Sequence, residues 1–578
     1  MKSLITRQLA ASAVILCGLS LTTQAGEKED LLKLRSTTEN LIKQLVKQGV
    51  LTDEAAQQML QQAEAEVASS LPASKGSKPS ENPDEVRVSY VPDFVKDEIR
   101  EQVRAELRQD VVGDVLAHAK NEHWGIKDAL PEWTRKFKLS GDMRLRYEPL
   151  FMANDNKGGL EVFPYYPNGQ AINDAGGFSN AALDAVRNTN QDNQRFRERL
   201  RLAIEADITE SLKTGVRLST GNLRDPVSTN QTMGQTGSRY EFSVDRAYLE
   251  YDKHDEMGFN WLTLSGGRLK NPFYVGGGEF TGGSELVWDT DLSFEGFAGT
   301  YRYNLGTQNK MGHGAKMLYA TLGAFPLQEA QFSNNDKWLF AGQLGLDWGF
   351  SNNDMLRMGL AYYDYKNVTA KRNQTASGTC DLNSRENTAS RPEFMQGGNT
   401  LAMICREGTF NDPVLSPYPG MVGLASDFNI VNVNMRYDMA LFDPVFVTLS
   451  ADYAKNLGFN SAEVTANRSL GGVLGSGSIN EQTSAWQIRT DLGSLRLDKP
   501  GNWSTFIAYK YVGSDAVLDA YTDSDFHLGG TNAKGWVLGG NYALWSNVWL
   551  TSRWFSTEAV YGPSYGVDLF QMDINAKF

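Results

Sequence analysis

The chain has 578 residues, a formal net charge of −13, 11% aromatic residues and a mean hydropathy of −0.40. That acidic balance leaves no strongly basic face to displace counterions, which argues against nucleic acid as a partner. Beyond the first 25 residues no apolar run approaches the ~20 residues of a membrane helix, so the rest stays in water or crosses a bilayer as strands.

Residues 1–25 read as a secretory signal peptide. Lys2 and Arg7 form a positive start, Leu9 to Leu21 an apolar stretch, and Thr23-Gln24-Ala25 supplies small residues for cleavage after Ala25. Cys17 raises a lipoprotein reading, but Leu16 stands where a small residue is expected. Export makes a disulfide between the two remaining cysteines, Cys380 and Cys405, the expected state; inert thiols in a loop are the alternative.

Residues 26–70 read as helical, with Leu31, Leu34, Leu41 and Leu45 at heptad-like spacing. Gly49 breaks the helix, and Thr52 with Asp53 and Glu54 starts another. Residues 71–91 are a Pro/Ser/Lys linker. Residues 92–136 form a second helix and a lead-in, whose apolar residues Val95, Ile99, Val103, Leu107, Val111 and Val115 step by four and drift around the helix. A solvated periplasmic extension and a coiled coil that oligomerises or reaches the cell wall both remain open.

At Phe137 the period changes to two. Leu139, Met143, Leu145 and Tyr147 share one face, and Asp142, Arg144, Arg146 and Glu148 the other. The next run puts Phe196, Leu200, Leu202 and Ile204 on one face and Arg195, Arg197, Arg199 and Arg201 on the other. An Arg facing lipid at the midplane costs about 2–4 kcal/mol. Four on one strand would consume most of the ~5–15 kcal/mol that stabilises a typical domain, so the arginine face is wet.

Strands are expected near 137–148, 195–209, 211–221, 240–252, 260–270, 294–304, 316–325, 337–349, 355–366, 427–440, 445–456, 484–495, 503–512, 534–545, 547–556 and 564–578. Long segments (149–194, 222–239, 271–293, 367–426, 457–483, 513–533) alternate with tight turns near Thr209-Glu210, Ser351-Asn352-Asn353, Phe442-Asp443 and Ser546. The fold class is therefore an all-β, antiparallel transmembrane barrel of about 16 strands over 137–578, shifting by two for each merged or split hairpin, behind a helical segment. A last amphipathic strand ending in Phe578 is an expected signal for the barrel-assembly machinery.

LVKQGVLTDEAAQQML (45–60), YVPDFVKDEIREQVR (90–104), ALPEWTRKFKLSGDMRLRYE (129–148), GRLKNPF (267–273), LVWDTDLSFEG (286–296) and Phe578 together resemble the bacterial "putative porin" family. The resemblance implies an outer-membrane barrel passing small polar solutes, with a periplasmic helical segment; a homotrimer follows by analogy with general porins.

In such a barrel, charged side chains in the narrow part of the lumen set selectivity. Arg144, Arg146, Arg195, Arg197, Arg199, Arg201 and Arg217 share the expected inward face and would form a basic wall. Arg268 and Lys270 end the fifth strand, and Asp289, Asp291 and Glu295 oppose the wall if segment 271–293 folds inward. A transverse field and an anion preference would follow. Alternatively, Glu148, Glu198, Glu205 and Asp207 neutralise the arginines, which then only fill the wall.

No His, Cys or acid spacing points to a metal, and VGGGEF (275–280) and GGVLGSGS (471–478) lack the helix a phosphate loop needs, so no cofactor is expected. His527 beside Asp523, Ser524 and Asp525 reads as a solvated acidic loop rather than a hydrolase site. A passive channel, a structural barrel tethering the membrane, and a barrel enzyme or receptor remain, with the channel favoured.

Overall fold

The computed structural model describes residues 136–578 apart from 164, 274–284, 307–315, 331–334, 351, 375, 377–383, 385, 405–419, 443 and 471–480. The expected signal peptide, both helical segments, the linker, the two glycine-rich tips and the Cys380–Cys405 disulfide lie outside these residues.

The described chain forms a closed antiparallel barrel of sixteen long strands. They are β1 (Phe137–Met152), β2 (Asn193–Asp207), β3 (Leu212–Ser219), β4 (Ser243–His254), β5 (Asn260–Lys270), β6 (Ser293–Asn304), β7 (Lys316–Gln328) and β8 (Lys337–Gly349). The second half comprises β9 (Met355–Lys366), β10 (Asn429–Phe442), β11 (Val445–Asn456), β12 (Ser484–Ser494), β13 (Trp503–Val512), β14 (Ala533–Trp545), β15 (Val548–Ala559) and β16 (Gly566–Lys577). Each pairs with its sequence neighbour, and β1 closes on β16 with Asp142 opposite Lys577 and Leu150 opposite Leu569. At the seam Gly141 and Phe578 exchange backbone hydrogen bonds of 2.8 and 3.0 Å. A Cβ on residue 141 would come within 2.5 Å of the Phe578 ring, so a larger residue there would displace that ring.

Alternation decides which face meets lipid. Leu145, Leu202, Val216, Leu249, Leu264, Leu322, Leu344, Leu360, Ile488, Ile507 and Ile574 are exposed on the outside, while Arg144, Arg146 and Arg199 on the opposite parity are buried inside. Exposed rings flank this aliphatic belt. Tyr303, Phe442, Trp503 and Trp545 stand near the strand ends joined by short turns, and Phe196, Phe340, Tyr362 and Trp536 near the other end. Two aromatic girdles around an apolar band are what a bilayer selects on a transmembrane barrel.

Connections 208–211, 350–354, 443–444 and 546–547 are among the short turns at one end, which also holds the C-terminus. Connections 153–192, 220–242, 271–292, 367–428, 457–483 and 513–532 meet at the other, joined by two shorter ones, 329–336 and 560–565. Leu401–Met403, Val422–Leu424 and Arg468–Leu470 make a small separate sheet among them.

Several of these connections turn into the barrel. Segment 285–292 is held there by Trp288, which packs at 4.9 Å from Phe294 of β6, 5.0 Å from Tyr363 of β9 and 6.0 Å from Tyr521. Asp289 N donates to Tyr521 O at 2.7 Å and Thr522 Oγ1 donates to Leu286 O at 2.9 Å, stitching segment 285–292 to 513–532. From above, Gln396 Nε2 donates to the carbonyls of Asp519 and Thr522 at 2.8 and 2.7 Å, and Thr400 Oγ1 to Asp515 at 2.6 Å.

Candidate functional site

The register of β1 on β2 explains the arginine wall. Asp142 stands opposite Arg201 and Glu148 opposite Arg195, but between them Arg144 faces Arg199 and Arg146 faces Arg197. Like charges directly opposed are destabilising, so the middle arginines need carboxylates from elsewhere. Arg146 takes Asp573 of β16 with two parallel bonds, Nε at 2.8 Å and Nη2 at 3.0 Å, and reaches Asp525 of the inward segment at 3.2 Å. Arg199 and Arg201 share Asp142, at 2.9 and 2.8 Å, and both reach Asp291 of the other inward segment, at 3.4 and 3.0 Å.

The remaining residues expected in the wall have different surroundings. Arg144 Nε donates to Asn575 Oδ1 at 3.0 Å and lies 3.6 Å from Asp573. Arg195 pairs with Glu148 and is its most exposed partner. Arg197 donates to Ser228 Oγ at 3.2 Å, with Glu148 at 3.8 Å, and Arg217 pairs with Asp245. Arg268 donates to Glu295 at 2.5 Å and to Asp245 O at 2.8 Å. Lys270 lines the cavity described below. Asp289 accepts from Asp291 N at 2.8 Å and Ser524 N at 2.9 Å, turning the segment so that Asp291 meets the arginines.

Of the four strand acids Glu148, Glu198, Glu205 and Asp207, only Glu148 takes an arginine, whereas Asp291 meets Arg199 and Arg201, as the sequence offered for an inward segment. Glu198 shares its parity with the outward-facing residues, Glu205 accepts from Tyr248 at 3.2 Å, and Asp207 pairs with Lys138 at 3.4 Å. The other neutralising acids are Asp142 of β1, directly opposite Arg201, Asp245 of β4, Asp573 of β16, and Asp291 and Asp525 of the inward segments. The loop around His527 also differs from expectation: it is buried, not solvated. Asp523 pairs with Lys510 of β13 at 2.6 Å, and Asp525 with Arg553 of β15 at 3.2 Å as well as with Arg146. Ser524 Oγ donates to Val227 O at 3.3 Å while His527 Nδ1 bonds Thr557 Oγ1 at 2.9 Å, so the two residues serve separate partners. Burial, with Arg187 nearby, pushes the His527 imidazole down to about 3 and keeps it neutral.

Among the described residues, the inward segments lie between two cavities of the lumen. The lower one, about 400 Å³, lies between the arginine wall and β12–β16. Among the described residues lining it are nine Arg or Lys and six Asp or Glu. Sequence reading missed Arg246, Arg489, Lys510 and Arg553 here. Arg246 escaped because the register slips between Arg217 and Leu218 where β3 pairs with β4, a bulge that breaks simple alternation beside Asp245. Arg246 Nε donates to Ser293 Oγ at 3.2 Å, and among the described residues neither it nor Lys270 has a carboxylate at ion-pairing distance.

Three acids of the inward segments titrate very differently. Burial opposes the charge on Asp291, but Arg199 and Arg201 outweigh it and hold the carboxyl well below the usual range. Burial and the charge of Asp523 push Glu285 up to about 7, and burial with Glu285 and Asp291 pushes Asp289 well above its ordinary value. The cavity therefore carries a positive surplus that is larger below neutral pH.

A closed sixteen-strand barrel with a lipid-facing apolar belt and a charged interior is a transmembrane barrel of the outer-membrane porin class. The family model described as "Putative porin" matches residues 35–578, and the chain belongs to that family. No curated protein matches it. Solved structures similar to it include OprB of Pseudomonas putida, at 11% identity over 77% of this chain and 94% of that one with a TM-score of 0.40. The outer membrane channel DcaP of Acinetobacter baumannii is similar at 12% identity over 76% and 97%, TM-score 0.38. OmpF of Salmonella typhi, in complex with daunomycin, is similar at 11% over 76% and 97%, TM-score 0.35.

Proposed function

We propose that this protein is a narrow passive channel of the outer membrane for small hydrophilic solutes, with a preference for anions. Its long-loop end faces outward, the assembly is a homotrimer, and the final strand with Phe578 is the segment read during insertion. The observation that carries the anion preference is Arg246, a lumen guanidinium whose partner is the neutral hydroxyl of Ser293. With Lys270 it leaves positive charge free to meet a passing anion instead of an internal carboxylate. Narrowness follows from the two inward segments, whose ion pairs with the wall hold them across the path.

Liposome swelling tests the channel itself. Vesicles carrying the folded barrel should swell in isotonic glycine or arabinose and much more slowly in a trisaccharide. No swelling in any of these, with the protein shown to be folded by its heat-modifiable gel mobility, would reject the diffusion reading. Equal rates for arabinose and the trisaccharide would reject the constriction.

A further inference from the structure

The upper cavity differs in kind from the arginine wall. It lies at the barrel mouth between the ends of β5–β8 and segments 223–226, 391–394 and 518–521, and encloses about 820 Å³. The rings of Trp288, Phe394 and Tyr521 line one part of it; Lys337 and Arg391 lie together at another.

Most charges around this cavity are already matched. Arg224 pairs with Asp174 at 3.1 Å and Arg268 with Glu295. Asp225 accepts from the backbone N–H groups of Val227 and Ser228, both at 3.0 Å, and Asp519 from that of Gly397. Lys337 is the exception. It is 5% exposed, and its Nζ donates to Gln328 Oε1 at 2.6 Å and to Arg391 O at 2.5 Å, both neutral. An ammonium has three protons to donate, and among the described residues the third has no acceptor and the charge no carboxylate at ion-pairing distance. Among the described residues the Arg391 guanidinium donates only to the thioether of Met421, at 3.3 Å. Glu393, at the same cavity, is exposed and pairs with neither cation among the described residues.

A buried lysine without a counter-ion is costly and rarely found unless something pairs with it. Two cations at one point of the cavity suit a single carboxylate, which accepts several charge-assisted hydrogen bonds at once. The aromatic remainder suits an apolar body. A benzene ring fills a cavity of about 150 Å³, so this one accommodates a ring acid together with ordered water. Chloride or acetate would satisfy the cations but leave the aromatic wall wet.

We propose that the upper cavity binds a small monocarboxylate carried on a ring-sized apolar body, its carboxylate held by Lys337 and Arg391. This deepens the channel reading by giving the solute class, and rests on it in placing the site on the solute's path.

Isothermal titration of the full-length folded protein with benzoate tests the site. Saturable binding is expected, with acetate and benzyl alcohol each at least tenfold weaker. Lys337→Met should weaken benzoate about ten- to a hundredfold, as loss of a charge-assisted bond does. Arg391→Gln, on a half-buried residue, gives a second reading should Lys337→Met fail to fold. Absent benzoate binding, benzyl alcohol binding as tight as benzoate, or wild-type affinity in the folded variants would overturn the proposal. A protein that binds benzoate but stays silent in a planar bilayer would refute the channel and leave this site standing; one that conducts without binding benzoate would do the reverse.

Discussion

Asp291→Asn is the sharpest single perturbation of the lumen. Asparagine keeps the shape and the acceptor for Thr229 Oγ1, 3.1 Å away, but removes the charge that faces Arg199 and Arg201. Both arginines retain Asp142, so the barrel should still fold. The freed positive charge acts on an ion passing roughly 5 Å away. In water-like surroundings one unit charge at that distance is worth about 0.8 kcal/mol, and screening at 0.1 M salt reduces this to about 0.5. Because the same charge attracts the anion and repels the cation, the anion-to-cation permeability ratio should rise about fivefold over wild type, read from the zero-current potential across a salt gradient. The gain should shrink at 1 M salt, where the Debye length is only ~3 Å. An unchanged ratio at low salt, from a variant with normal conductance, would refute the claim that Asp291 opposes the arginines on the conducting path.

Raising pH from 6 to 8 ionises Glu285, whose carboxyl burial has pushed up to about 7, so anion preference should fall across that interval. Glu285→Gln should flatten the profile, and a profile unaffected by the substitution would remove Glu285 from the account. The same raised pKa bears on stability: the contribution is fully present below about 4.3, the unfolded value, and is lost as pH rises through about 7. Arg146→Ala strips the buried carboxylates of Asp573 and Asp525 of their main partner, a loss of about 3–5 kcal/mol for a broken buried pair. The folded band on unheated gels should convert at a clearly lower temperature, and an unchanged midpoint would argue against a structural role. Trp288→Ala empties the ring packing that holds segment 285–292, at about 3–5 kcal/mol. Single-channel records should then show larger, noisier openings; steady wild-type steps would mean that Trp288 does not anchor the segment.

The barrel was legible because the lipid imposes a rule on every strand. Alternation placed all sixteen strands within a few residues of their observed ends; β1 extends to Met152 and β4 begins at Ser243. Which residues face inward was legible for the same reason on β1–β3. What the arginines touch was legible only in part: Asp291 was expected to oppose them if its segment folded inward, and it does, but Asp525 was not. Their partners Asp291 and Asp525 sit in connections, where no periodicity applies, and their inward course is set by Trp288 packing on Tyr363 and by contacts with other connections far along the chain. One physical clue was present in the sequence: Arg144, Arg146, Arg197 and Arg199 on adjacent strands could not all be buried without acids from outside those strands. Asp523 and Asp525 supplied a candidate, but a polar acidic stretch looks the same whether it is solvated or folded into a lumen.

The zero-current potential of the wild-type protein in a planar bilayer, across a tenfold gradient of potassium chloride at pH 6, tests the central claim most directly. Stepwise conductance with a potential of anion-selective sign is the predicted result. Cation selectivity would contradict the basic surplus around Arg246 and Lys270, and silence from demonstrably folded protein would contradict the channel itself.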